Sequence, residues 1–194
     1  MKTSLLLHIC CATCAAYVLE LLRDQFEVKA YYYNPNIYPV EEYDIRFSEA
    51  KKYCDTQAIP FVEEKPDRYN WFVLTRGHEQ DPERGERCTI CYRMRLTKTV
   101  EYAKAHGFEA WGTDLSISPH KDAQRLNLIG KELEKEYGVT FLVADFKKEN
   151  GFKKAMEVSR REGFYRQDYC GCIYSMKARN SKFETIPNVP NPNV

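Results

Sequence analysis

The sequence predicts an α/β protein built on one doubly wound, five-stranded parallel sheet of the Rossmann-like type, with strand order 3-2-1-4-5. Three observations carry this prediction. Short apolar runs alternate with amphipathic helical patterns along the 194 residues. The first run, Leu5-Leu6-Leu7, is apolar at consecutive positions, as in a buried parallel strand. It leads into Cys10, Cys11 and Cys14 and passes at once into a helical pattern. Open α/β sheets keep their ligands at that carboxyl edge.

Taken in order, residues 3–9 form the first strand and 12–24 a helix with Ala15, Val18, Leu19 and Leu22 on one face. Residues 26–33 form the second strand, closed by the turn signal Asn34-Pro35-Asn36. The helix over 40–58 has Tyr43, Phe47, Ala50 and Cys54 as its apolar stripe, which makes Cys54 a small core residue. Residues 60–64 are a short third strand. A helix containing Trp71, Phe72 and Leu74 follows, then a polar loop over 77–85, where a lid can sit. Residues 88–106 are helical and stop at Gly107; 108–113 form the fourth strand, and 113–119 a loop at its carboxyl end. Helix 119–137 leads to the fifth strand at 139–144. Helix 152–161, an irregular stretch 163–171 and a short helix 172–179 complete a single domain over 1–182. The Pro- and Asn-rich tail 183–194 is expected to be irregular.

Composition excludes several classes. A hydrophobic content of 43% and a charged content of 29% suit a soluble globular chain. No stretch approaches the roughly 20 apolar residues of a membrane span, so no membrane partner is expected. The Leu5–Leu7 run is interrupted by His8 and lacks a small-residue cleavage site, which argues against a signal peptide. The expected location is cytoplasmic, where clustered cysteines serve metals or redox chemistry. The net charge of +1 conceals a segregation: −4 over residues 41–64, +4 over 84–98 and +5 over 145–182. Solvated helix faces explain this; so does a phosphate-rich partner beside the sulfur site.

Seven of the eight cysteines fall in three groups: Cys10/Cys11/Cys14, Cys88/Cys91 and Cys170/Cys172. In the 3-2-1-4-5 order, the first strand ends beside the start of the helix that opens at Cys88. A helix N-terminus stabilises thiolates there, and the geometry favours one four-sulfur site. Spacing alone leaves tetrahedral zinc and an iron–sulfur cluster both open. In Cys170-Gly171-Cys172 the glycine lets two sulfurs approach, to cycle between dithiol and disulfide or to hold a second metal. Reaching the same rim requires residues 163–169 to run back nearly fully extended, about 23–25 Å.

Four stretches carry a resemblance. They are His8-Ile9-Cys10-Cys11-Ala12-Thr13-Cys14, Arg87-Cys88-Thr89-Ile90-Cys91-Tyr92-Arg93-Met94-Arg95-Leu96, Ser116-Ile117-Ser118-Pro119-His120-Lys121 and Tyr165-Arg166-Gln167-Asp168-Tyr169-Cys170-Gly171-Cys172. Through them the chain resembles the cobalamin-independent epoxyqueuosine reductases, the QueH family, whose fold is similar to the adenine-nucleotide hydrolase-like Rossmann folds. Thr13 departs from the proline expected in many relatives. The resemblance implies an enzyme that removes the epoxide oxygen of epoxyqueuosine at the tRNA wobble position. It implies a [4Fe–4S] cluster on Cys10, Cys11, Cys88 and Cys91, and a redox-active pair at Cys170 and Cys172. An additional mononuclear iron at Cys170, Cys172 and Cys14 is the alternative to that pair. It further implies tRNA as partner and an electron donor that the sequence does not identify. Asp114, His120, Asp168 and Tyr169 are candidate proton donors. Tyr92, Tyr165 and Tyr169 are candidate base-stacking platforms, with Arg87, Arg93, Arg95, Lys153, Lys154 and Arg166 on phosphates. Two rival readings remain: an ATP-dependent tRNA-modifying enzyme, which would need a glycine-rich phosphate loop absent from Cys10–Cys14, and a non-catalytic zinc-bearing RNA-binding module.

Overall fold

Five runs of chain pair side by side in one direction. The computed structural model describes residues 2–179. Its strands β1 (Thr3–His8), β2 (Phe26–Tyr32), β3 (Phe61–Glu63), β4 (Ala110–Thr113) and β5 (Thr140–Phe141) stand in the order β3-β2-β1-β4-β5, all parallel. The helices are α1 (Ala12–Leu22), α2 (Val40–Thr56), α3 (Arg68–Leu74), α4 (Glu86–Ala105), α5 (Ala123–Tyr137), α6 (Gly151–Glu162) and α7 (Ile173–Arg179). Fold class and strand order match the expectation. The predicted tail 183–194 lies outside the described residues.

β1 is the axis of the molecule. Leu5 sits opposite Val28 on one side and Ala110 on the other. The alternation of side chains along a strand sends Leu5, Leu7 and Ile9 into the layer of α1, α2 and α6, and Leu6 into the layer of α4 and α5. Each fully buried leucine contributes about 1.5–3 kcal/mol, so this strand ties both layers to the sheet. Gly130 permits the closest helix–sheet approach: a Cβ there would meet Phe141 Cε1 at 2.3 Å.

Several elements are shorter than the apolar pattern suggests, because side chains take over the backbone bonds. The fourth strand begins at Ala110 because Phe108 N–H closes the end of α4 on Ala103 O. Glu109 meanwhile pairs with Ser4 through its side chain rather than through the ladder. The fifth strand ends at Phe141, and the Asn127 amide satisfies both the N–H and C=O of Ala144. Helix α5 starts at Ala123, not at Pro119, because Asp122 is its N-cap, accepting from Arg125 N–H at 3.1 Å. A 3-10 turn, Asp114–Ile117, fills the gap after β4.

Candidate metal centre

The first sulfur group is built by the end of β1. Ile9 N–H makes the last bond to the sheet, to Tyr31 O, and Cys10 then leaves it. Cys11 is the extended N-cap residue of α1, and Cys14 lies one turn on. The Cys10 and Cys11 sulfurs are 3.7 Å apart, and the sulfurs of Cys10, Cys11 and Cys14 all lie within 4.8 Å of one another. Among the described residues no other trio of His, Cys, Asp or Glu ligand atoms gathers so closely. Hydrogen bonds from Cys10 and Cys14 pull the Cys11 thiol well below its usual range, and Cys10 rises in exchange.

Cys88 and Cys91 lie in the first turns of α4, at the same edge of the sheet. Cys88 accepts from Arg84 N–H at 3.3 Å and, with Cys10, packs against the α4–α5 core. Cys91 is packed with Trp71, Cys172, Ile173 and Tyr174, and Cys170 touches this cluster. The second group thus adjoins the third. It does not fall within the tight Cys10/Cys11/Cys14 trio.

The return of residues 163–169 is made and pinned. Thr13 Oγ1 donates to Tyr165 O at 3.2 Å, and Gln167 Nε2 donates to the Cys11 sulfur at 3.0 Å. Arg46 donates to Tyr169 O and Cys170 O at 3.2 and 3.4 Å. Gly171 C=O receives Tyr38 N–H at 2.8 Å. Gly171 has φ +105°, in the region that favours glycine, and a Cβ would come 2.9 Å from Arg46 Nη1. The Cys170 and Cys172 sulfurs share a hydrogen bond at 3.8 Å. That contact, aided by Lys121, lowers the Cys170 thiol well below its usual range.

Cys10, Cys14 and Cys170 line one cavity of about 550 Å³ together with Arg46, Arg95 and Lys121. The three cations are its electrostatic frame. Arg95 is 3% exposed and has no carboxylate within ion-pair reach among the described residues. Its guanidinium donates to Asn34 Oδ1. Against the cost of burial, Cys91 and then Cys10 hold it charged. Arg46, also 3% exposed, is paired with Glu42 at 2.7 Å and holds its charge against burial through Cys11 first. Cys170 does the same for Lys121. Behind Cys10, Asp114 accepts Cys10 N–H at 3.0 Å, and burial followed by the Cys11 charge pushes its carboxyl up to about 8. His8 is neutral: burial, then Arg95, drives its pKa down.

Three residues expected on the RNA face are not there. Arg87 and Arg95 are each 3% exposed; Arg87 is spent on His78 O and Glu79 O and lies over the Tyr174 ring. Tyr92 is a core residue. Tyr92 and Arg95 lie on the face of α4 turned to the sheet, whereas Arg87 is covered by the loop at residues 78–79 and by Tyr174. Tyr165, Arg166, Lys153 and Lys154 are exposed, as is Arg93, which pairs with Glu132. Of the candidate proton donors, Tyr169 has its hydroxyl committed to Tyr38 O and Asp114 is fully buried, whereas His120 and Asp168 line the cavity. Sequence reading missed Arg46, Asn34 and Gln167. Arg46 and Asn34 sit in stretches read only as surface helix and turn, while Gln167 fell inside a quoted motif without being given a role.

Soft thiols gathered in a largely buried rim, offset by buried cations that face sulfur, fit an iron–sulfur cofactor: thiolates are its ligands, and the cations balance their charge. Fold and site together describe a cysteine-rich Rossmann-like protein whose sulfurs suit a soft metal or cluster. Comparison with known proteins narrows this. A family model, "Epoxyqueuosine reductase QueH", matches residues 5–178. Relatives of that name from Haemophilus influenzae and Histophilus somni are 43% and 40% identical over 178 residues, covering 91% of this chain and 73% of each of theirs. The protein of that name from Acinetobacter baylyi is 39% identical, covering 91% and 82%. The chain belongs to the epoxyqueuosine reductase QueH family.

Solved structures agree on the fold. The U34-tRNA thiolase NcsA from Methanococcus maripaludis, with its [4Fe-4S] cluster, has TM-score 0.57 at 16% identity, covering 90% of this chain and 62% of its own. A predicted subunit of tRNA methyltransferase from Methanocaldococcus jannaschii has TM-score 0.54 at 9% identity, covering 79% and 75%. At these identities the likeness concerns architecture. No described helix is long and apolar enough to cross a membrane.

Proposed function

We propose that this chain reduces epoxyqueuosine to queuosine in tRNA, using an iron–sulfur cluster held by Cys10, Cys11, Cys88 and Cys91. The observation that carries the reading is the cavity whose wall joins Cys10 and Cys14 to Cys170 beneath three cations. An iron–sulfur cluster supplies single electrons from a donor outside the chain. The reaction consumes two electrons and two protons: both epoxide C–O bonds break, a C=C bond forms, and oxygen leaves as water.

The chain's own residues supply the rest. Cys170 and Cys172 are a dithiol whose oxidation to a disulfide releases two electrons and two protons, which balances the reaction. In the alternative, the same two sulfurs with Cys14 hold one further iron. Lys121 and Arg46 place positive charge where the oxygen leaves, and His120 and Asp168 lie at the cavity wall where protons enter. Tyr165 and Arg166 are exposed beside the opening and suit a splayed anticodon base and its phosphate. Thiols kept reduced for this purpose fit a cytoplasmic setting.

The test is anaerobic purification followed by reduction with dithionite in the presence of tRNA carrying epoxyqueuosine, with nucleosides read by mass. Brown protein with at least four irons, and loss of sixteen mass units from the modified nucleoside, is the expected result. Zinc alone, or an unchanged nucleoside, overturns the reading. Cys170→Ser separates the two roles of the pair. As half of a dithiol it keeps the iron and loses turnover; as a ligand of a further iron it also loses iron.

A further inference from the structure

We propose that Ser175 is a positioning residue of the Cys170/Cys172 pair: it holds both cysteines to one point, ready to close on each other, through hydrogen bonds that Glu83 completes. The task of the pair rests on the functional reading above; its geometry does not.

Three hydrogen bonds converge on this residue. Ser175 N–H donates to the Cys172 sulfur at 3.4 Å. Its Oγ accepts Cys170 N–H at 3.1 Å and donates to Glu83 Oε1 at 3.2 Å. The directions are forced. A backbone N–H only donates and a carboxylate only accepts, so the hydroxyl's one proton goes to Glu83. Ser175 is 4% exposed, so water competes little for these bonds. Both cysteines are thereby referred to a single residue, and their sulfurs stand 3.8 Å apart.

Glu83 is itself held. It belongs to the loop between α3 and α4, which Arg87 ties down through His78 O and Glu79 O, and Arg125 through Arg84 O and Gly85 O. The next residue, Arg84, donates its N–H to the Cys88 sulfur at 3.3 Å. Consecutive residues of one anchored loop thus touch the second sulfur group directly and the third through Ser175. Closing a disulfide brings the sulfurs from 3.8 Å to about 2.05 Å. Backbone already ordered on both sides of the pair lowers the entropy that closure costs. Without the hydroxyl, Cys170 N–H loses its partner and that end of the turn is released.

The experiment equilibrates metal-free full-length protein with mixtures of reduced and oxidised glutathione and traps free thiols by alkylation. The tryptic peptide Gln167–Lys177 carries both cysteines, so closure is read as a single peptide lacking two hydrogens. In this exchange the Cys170–Cys172 bond forms, both cysteine S–H bonds break, and glutathione disulfide takes the electrons and protons as two thiols. Ser175→Ala is expected to lower the equilibrium constant for closure about fivefold to tenfold, and Glu83→Ala about twofold to threefold. Glu83→Gln, whose amide oxygen still accepts, is expected to match the wild type. Glu83 is exposed, so its variants test the bond without disturbing the core. In the iron-loaded enzyme, Ser175→Ala is expected to lower kcat about tenfold at an unchanged KM for tRNA. Unchanged or easier closure in Ser175→Ala and Glu83→Ala, equal losses in Glu83→Ala and Glu83→Gln, or a raised KM at unchanged kcat overturns the assignment. Wild-type protein that leaves epoxyqueuosine unconverted overturns the functional reading, and the closure result stands apart from it.

Discussion

Arg46 lies directly against Gly171: a Cβ at the glycine would come 2.9 Å from Arg46 Nη1, at a backbone φ of +105°. Gly171→Ala therefore incurs both a strained backbone, about 1–2 kcal/mol, and displacement of the guanidinium that holds Tyr169 O and Cys170 O. The variant is expected to fold with a lowered Tm and to lose at least about tenfold in turnover while keeping most of its iron. A variant with wild-type turnover would show that the Cys170-Gly171-Cys172 turn tolerates another path.

Arg95 is a buried cation kept charged against the cost of burial first by Cys91 and then by Cys10. Arg95→Met removes it at similar volume. With a cluster bound, loss of this positive charge is expected to shift the reduction potential to a more negative value, since adding an electron meets less favourable charge. Asn34 Oδ1 also loses its partner, for a further cost of about 1–3 kcal/mol in stability. Potentiometric titration under nitrogen gives the first, thermal unfolding the second. An unchanged potential would place the guanidinium's field elsewhere.

Cys54 is 0% exposed in the core under α2, and burial pushes its thiol up to about 12. In metal-free native protein at pH 8, alkylation is expected to leave Cys54 unmodified while Cys170, partly exposed and with its thiol held below the usual range, reacts. Cys54→Ala is expected to leave iron content unchanged. Early labelling of Cys54, read by peptide mass, would contradict its core position.

Lys148, Lys153, Lys154 and Arg166 are exposed cations in the basic stretch beyond β5. If four phosphates are met, the logarithm of tRNA affinity should fall against the logarithm of salt with a slope of about −3. Charge reversal at Arg166, which also lines the cavity, should lower that slope by about one. A flat response would remove phosphate contact from this face.

The parallel sheet was legible because Leu5, Leu6 and Leu7 must be covered on both sides, and only flanking helices can do so. Strand ends were less legible: Asn127 and Glu109 are polar residues whose side chains replace ladder bonds, and periodicity carries no sign of that. The sulfur groups stood out by spacing, yet the charges that frame them did not. Arg46 pairs with Glu42 at i,i+4, which on a helix usually marks a solvated face; here both are buried. Arg95 and Tyr92 were misplaced because polar and aromatic residues on α4 look outward until the sheet beneath them is known, and Arg87 because the loop that covers it is not visible in a helical pattern.

The wall of the cavity has an implication for biosynthesis. Gln167 meets the Cys11 sulfur from 156 positions further along the chain, and Cys170 arrives later still. During synthesis, the first three thiols emerge from the ribosome long before their counterparts exist. If Cys170 and Cys172 complete the centre proposed above, its last thiols join only when nearly the whole chain exists, and the first three must stay reduced until then. Expression with iron supply restricted until translation is blocked should still yield reconstitutable protein.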